Sequence, residues 1–118
     1  MSATTYFQLK QCQEHFEITF DDKHVLFEAH FPSLPIVPGS CITEITRVAL
    51  ETKLSNKYRI RKITSVKFIK PIHPENCDGL ELHFLSVDES ESGTTVKSVI
   101  KDNNMIYCKS DIVFTRMS

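Results

Sequence analysis

The residues best suited to chemistry lie in one stretch, His30-Phe31-Pro32-Ser33-Leu34-Pro35-Ile36-Val37-Pro38-Gly39-Ser40-Cys41-Ile42-Thr43-Glu44. Its histidine enters a stiff loop, its glycine stands where a helix begins, and its glutamate lies just over one turn into that helix. Histidine titrates near neutrality and can take a proton from carbon. The first turn of a helix offers unpaired amides and a partial positive charge, so it can hold a carbonyl oxygen that gains negative charge. Gly39 has no side chain to block that approach. A glutamate in an apolar pocket can donate a proton to a departing hydroxyl. Glu44 shares a helix face with Cys41 and Val48, which could form such a pocket. The bland alternative for Glu44 is a surface pair with Arg47 at i,i+3, worth about 0.2–0.5 kcal/mol.

The elements that must position these groups follow from periodicity. Phe16, Ile18 and Phe20 alternate with Glu17 and Thr19, which predicts a strand over residues 14–20, followed by a turn at Asp21-Asp22-Lys23. Residues 25–27 read as a short extended piece. The prolines between 32 and 38 exclude a helix there, since each biases its predecessor to extended geometry. From Ser40 to about Leu54, Ile42, Ile45, Val48 and Ala49 recur at helical spacing, with Ser40 as the expected N-cap and Ser55-Asn56 as the end. After the helix the chain reads as strands: 59–70, 80–84, 94–100 and 105–115, with turn chemistry at Asp102-Asn103-Asn104. Short connections among the last three imply antiparallel hairpins. One helix followed by a run of strands favours an α+β fold. A curved antiparallel β-sheet wrapped around one long central helix would bury the helix's apolar stripe.

At this point the loop–helix segment resembles the β-hydroxyacyl-acyl-carrier-protein dehydratases. Their pattern is His-Phe-Pro-Gly-x-Pro-Ile-x-Pro-Gly with a glutamate five residues after the last glycine. His30, Phe31, Pro32, Pro35, Ile36, Pro38, Gly39 and Glu44 match it in type and spacing. Val66-Lys67-Phe68-Ile69-Lys70-Pro71-Ile72 looks like the family's strand leading into a proline turn. A family glycine is Ser33 here, and a glutamine common one turn after the glutamate is Val48.

The resemblance implies a hot-dog fold, with the long helix wrapped by the sheet, and dimers whose sheets join edge to edge. It implies active sites shared between subunits. His30 of one chain would abstract the α-proton of a β-hydroxyacyl thioester, and Glu44 of the other would protonate the leaving hydroxyl. The Gly39 amide would hold the thioester carbonyl. No metal or organic cofactor is expected. Candidate substrate-contacting residues are Phe31, Pro38, Gly39, Ser40 and Phe68; taken singly, Phe31 and Phe68 read as core residues before tunnel wall, though a buried acyl tunnel would need such residues. The expected partners are an acyl carrier protein bearing the substrate and a second copy of the chain. Two other readings stay open: a hot-dog acyl thioesterase, and a non-catalytic acyl-binding module.

Composition is consistent with this reading. The 118 residues suit one domain, 1–118; they are 41% apolar and 25% charged, enough for a single core and ordinary for a globular protein. A formal net charge of -1 gives the whole chain no pull toward nucleic acid. No run of about 18 apolar residues predicts a membrane span, and the N-terminus does not read as a signal peptide, so a cytoplasmic location is expected. Cys12, Cys41, Cys77 and Cys108 form no Cys-x-x-Cys pair and read as reduced, mostly buried thiols. His15, His24, His73 and His83 share no spacing and read as surface or strand residues. Arg59, Arg61, Lys62, Lys67 and Lys70 form a basic run. It reads first as a solvated strand face and second as a docking patch for an acidic carrier. No aromatic stacking platform accompanies it, so nucleic-acid binding is not expected.

Overall fold

A computed structural model describes residues 6–24, 26, 36–76 and 79–117 of the chain. Its elements are β1 (Phe7–Gln11), β2 (Phe16–Phe20), α1 (Gly39–Leu54), β3 (Lys57–Phe68), a 3-10 turn (Pro74–Asn76), β4 (Glu81–Ser90), β5 (Gly93–Lys101) and β6 (Ile106–Met117). The six strands form one sheet in the order β1-β2-β4-β5-β6-β3, and every pairing is antiparallel.

The helix is central. Cys41, Ile42, Ile45 and Ala49 pack with Phe7 of β1, Phe16 and Ile18 of β2, Leu82 of β4, Ile100 of β5 and Cys108 of β6. Leu50 continues the stripe against Tyr58 of β3, Val96 of β5, and Ile112 and Phe114 of β6. Every strand therefore contributes to the core around one helix, which requires the sheet to curl around it. Ile42, Ile45 and Leu50 are at most 1% exposed, and each such burial contributes about 1.5–3 kcal/mol. Two buried threonines satisfy their hydroxyls within the helix, Thr43 donating to Ser40 O at 2.8 Å and Thr46 to Ile42 O at 2.7 Å.

The predicted helix and strands are present, with three differences. The expected helix cap, Ser40, lies inside α1. The cap is Pro38, extended at φ -69° and ψ 161°, and among the described residues no side chain caps the amides. Proline's fixed φ and missing N–H suit it to a helix start, so the boundary falls two residues earlier. At the other end Ser55 does close the helix, in the left-handed region at φ 57°, its N–H donating to Glu51 O at 2.8 Å. Second, strand β1 was not anticipated; it pairs along its whole length with β2, Phe7 opposite Phe20 and Gln11 opposite Phe16. Third, β4 runs on past Phe84 through an irregularity between Phe84 and Ser86, and pairs with β5 to the Gly93 turn. Of the expected extended piece at residues 25–27 only Leu26 is among the described residues, and it is helical, not extended.

Candidate functional site

The start of α1 is held against the end of β3. Val37 N–H donates to Ile72 O at 2.8 Å, and Ile69 and Lys70 N–H both donate to Tyr107 O of β6, at 2.8 and 3.2 Å. Residues 36–39 and 68–71 thereby face each other across a cleft of about 490 Å³. Its walls are mostly apolar. A Cβ built on Gly39 would lie 3.8 Å from Phe68 Cε2, so the aromatic ring stands directly over the glycine. Cys41 and Ile42 N–H turn back to Pro38 O, which commits them to the helix. The amides of Gly39 and Ser40 precede the first intrahelical donors and receive no side-chain cap from the described residues. The cleft thus has a greasy wall and a helix terminus with a positive dipole end at its rim.

Of the five expected substrate-contacting residues, the structure brings Pro38, Gly39 and Phe68 together in this cleft. Phe68 is 37% exposed, so it is a wall of the cleft and not the core residue its chemistry alone suggested. It ends β3 just before Pro71 turns the chain, and among the described residues its ring faces the helix start at Gly39. Ser40 is exposed and does not line the cleft. His30 and Phe31 lie outside the described residues.

Glu44 is half-buried on α1, with its side chain 43% exposed. Its carboxylate is held bidentately by Arg47, which donates from Nε to Oε1 at 3.1 Å and from Nη2 to Oε2 at 2.5 Å. The i,i+3 surface pair that spacing alone suggested is therefore formed. Arg47 also donates to Glu51 Oε2 at 2.9 Å, and the same oxygen accepts Tyr58 N–H at 2.8 Å, which ties the helix to the start of β3. Hydrogen bonding to Glu44 raises the Arg47 pKa above its ordinary value. Tyr6 and Cys41 are hydrogen-bonded neighbours close enough to feel the Glu44 charge. Burial first, then the bond to Cys41, pushes the Tyr6 hydroxyl well up, so it stays protonated. Burial likewise pushes up the Cys41 thiol. The face of α1 around Glu44 thus carries an ion pair beside two neutral, protonated groups.

The basic run lies as expected on an exposed strand: Arg59, Arg61, Lys62 and Lys67 are exposed on β3, and Lys70 follows at the cleft. The cysteine reading holds for Cys41 and Cys108, which are buried, and Cys12 is half-buried. Cys77 lies outside the described residues. The histidines differ from expectation in one respect. His15 and His83, far apart in sequence, are stacked at 5.0 Å between ring centroids, and the Nε2 of each faces a carboxylate oxygen of Glu81. Only the pairing of β2 with β4 brings them together, and no spacing rule reports that. No helix among the described residues is long and apolar enough to cross a membrane.

Comparisons with known proteins agree with this geometry. Over 100 residues the chain is 28% identical to the 3-hydroxyacyl-acyl-carrier-protein dehydratase FabZ of Roseiflexus sp. (strain RS-1), covering 78% of this chain and 68% of that protein. Among solved structures it superposes on a chain of the dehydratase heterocomplex ApeI:P from Xenorhabdus doucetiae, with TM-score 0.65 and 21% identity, over 92% of this chain and 95% of that one. It also superposes on an uncharacterized protein from Erwinia carotovora subsp. atroseptica, with TM-score 0.56 and 19% identity, over 93% and 91%. These two likenesses carry the fold, a hot-dog fold of antiparallel sheet curled around the long helix α1. The model of the ApeI-like family, described as ApeI dehydratase, matches residues 7–109, and the chain belongs to that family.

Proposed function

We propose that this protein removes water from β-hydroxyacyl thioesters, giving trans-2-enoyl thioesters in fatty-acid or polyene-type lipid synthesis. The observation that carries this reading is the apolar cleft at the start of α1, with Gly39 beneath Phe68. An acyl chain fits the greasy wall, and the thioester oxygen meets the helix amides where negative charge develops. His30 takes the α-proton. Glu44 of a second copy gives its proton to the departing β-hydroxyl, so that a C–H and a C–O bond break as the C=C bond forms. For that step Glu44 must be protonated and turned away from Arg47.

The second copy enters through β3. This strand is the far edge of the sheet, twelve residues long, and carries exposed Ile63 and Phe68, with exposed Ile69 just beyond. A long edge strand with apolar side chains is a template for pairing, and a homodimer joined there would cover it. The lysines and arginines along the same strand give an acidic acyl carrier protein a surface to approach, with Lys70 at the cleft mouth.

One observation favours a second reading. The bidentate Arg47 clamp holds Glu44 as a structural ion pair, as it would in a subunit that shapes an acyl slot but relies on a different chain for catalysis. The related ApeI:P structure is a heterocomplex. Purified protein mixed with a β-hydroxyacyl thioester distinguishes the readings. Growth of the conjugated enoyl absorbance by this chain alone supports the dehydratase. Thiol release without enoyl product would make it a thioesterase. Neither activity, across a range of acyl lengths, would leave the accessory subunit.

A further inference from the structure

We propose that His15, Glu81 and His83 form a surface binding site for a divalent transition-metal ion of the zinc class. His83 Nε2 lies 2.8 Å from Glu81 Oε1, and His15 Nε2 lies 3.4 Å from Glu81 Oε2. All three ligand atoms fall within 4.8 Å of one another. In a tetrahedral zinc site with bonds of about 2.0–2.1 Å, neighbouring donors sit roughly 3.3–3.4 Å apart. The observed spacings need only small side-chain rotations to close on one ion. Two imidazoles and one carboxylate are a donor set that binds such ions and leaves a position open for water.

Two further observations point to a cation. His15 Nε2 is buried and has no hydrogen-bond partner, although it points at the shared carboxylate. The two rings are nearly parallel, 18° apart, with the same nitrogen of each directed to Glu81. In that arrangement a metal ion can take a lone pair from each ring and bind the carboxylate oxygen that faces both.

The site has a structural consequence. Glu81 and His83 flank Leu82, which is buried against the helix, so their side chains project from the opposite face of the sheet. His15 stands in the β1–β2 turn, one residue before the two pairs that join β2 to β4, Phe16 with Leu82 and Glu17 with Glu81. This is the shortest ladder in the sheet. An ion bridging His15 to β4 would pin the β1–β2 hairpin at its weakest seam. Glu17 and Cys12 lie beside His15, and the Glu17 carboxylate adds negative charge there, while Lys101, paired with Glu81, opposes it.

The test uses untagged protein stripped with chelator and titrated with zinc chloride by calorimetry, with thermal unfolding alongside. One zinc per chain and a melting temperature raised by several degrees are expected. Cobalt chloride should give the visible bands of a low-coordinate ion. His15→Gln and His83→Gln should each weaken zinc binding tenfold or more, while Cys12→Ser leaves it within about threefold. Zinc should also shift the ring-proton NMR signals of His15 and His83 in the wild-type protein, a readout that does not require either variant to fold. Absence of zinc binding, unchanged affinity in folded His83→Gln, or loss confined to Cys12→Ser would each overturn the proposal, as would ring signals that do not move.

Discussion

Replacing Gly39 by alanine should separate stability from catalysis. Gly39 is the first residue of α1, and its φ is not in the positive range that Gly79 and Gly93 occupy. The added methyl would meet Phe68 Cε2 at 3.8 Å, an ordinary van der Waals distance. Nothing in the fold has to move. The unfolded chain loses glycine's extra freedom, which stabilises the native state by about 0.4–1 kcal/mol. For a chain of this size that is a rise in melting temperature of roughly 2–6 °C. The same methyl stands between the helix amides and the apolar wall, where the thioester carbonyl is proposed to sit. Losing one such donor typically costs about 10²–10³ in kcat. Calorimetric melting and enoyl formation should therefore move in opposite directions in Gly39→Ala. Full activity with a raised melting temperature would show that the carbonyl does not approach Gly39. A lowered melting temperature would refute the packing of this cleft.

Other predictions test the frame. Gly93→Ala should lower stability by about 1–3 kcal/mol in urea unfolding, because φ is 146° there and a Cβ would stand 3.0 Å from Phe114 O and 3.1 Å from Val113 Cγ1. The Asp102 carboxylate accepts N–H bonds from Asn104 and Met105 and the Tyr107 hydroxyl, and the Asn104 bond first among these holds its pKa below the ordinary value. Its contribution is therefore complete above the unfolded-chain pKa and disappears as pH falls through the lower folded value. Melting curves across that acid window should show Asp102→Asn losing this part of the pH dependence. Burial pushes the Cys108 thiol up to about 11 and raises that of Cys41, so a thiol reagent at pH 8 should modify Cys12 far faster than either, until denaturant is added.

Much of this architecture was legible in the residues. Ile42, Ile45 and Ala49 announced the buried face of α1, and the alternation of Phe16 and Ile18 announced β2, because burial on one face writes its period directly into the chain. The helix start was misplaced because Ser40 offers cap chemistry, whereas Pro38 begins the helix through backbone geometry. Strand β1 escaped because five residues with only Phe7 strongly buried give little pattern; its identity comes from pairing with β2. The cleft was half-legible: Pro38 and Gly39 stood in the motif, but the placement of Phe68 over Gly39 depends on the Val37–Ile72 and Ile69–Tyr107 bonds. The grip of Arg47 on Glu44 was visible as spacing, though not its bidentate geometry or its link through Glu51 to Tyr58. The His15–Glu81–His83 group was invisible, since strand register alone assembles it.

The most direct test of the proposed chemistry uses two inactive variants, His30→Ala and Glu44→Gln, each checked for folding by circular dichroism. Each alone should lose enoyl formation by about 10²–10⁴-fold. Mixed in equal amounts under conditions that let subunits exchange freely, they should recover about a quarter of wild-type activity, since about half the dimers become hybrids and each hybrid holds one intact pair of the two. Either variant retaining wild-type activity, or a mixture with exchanged subunits that stays inactive, would contradict a shared imidazole–carboxyl site.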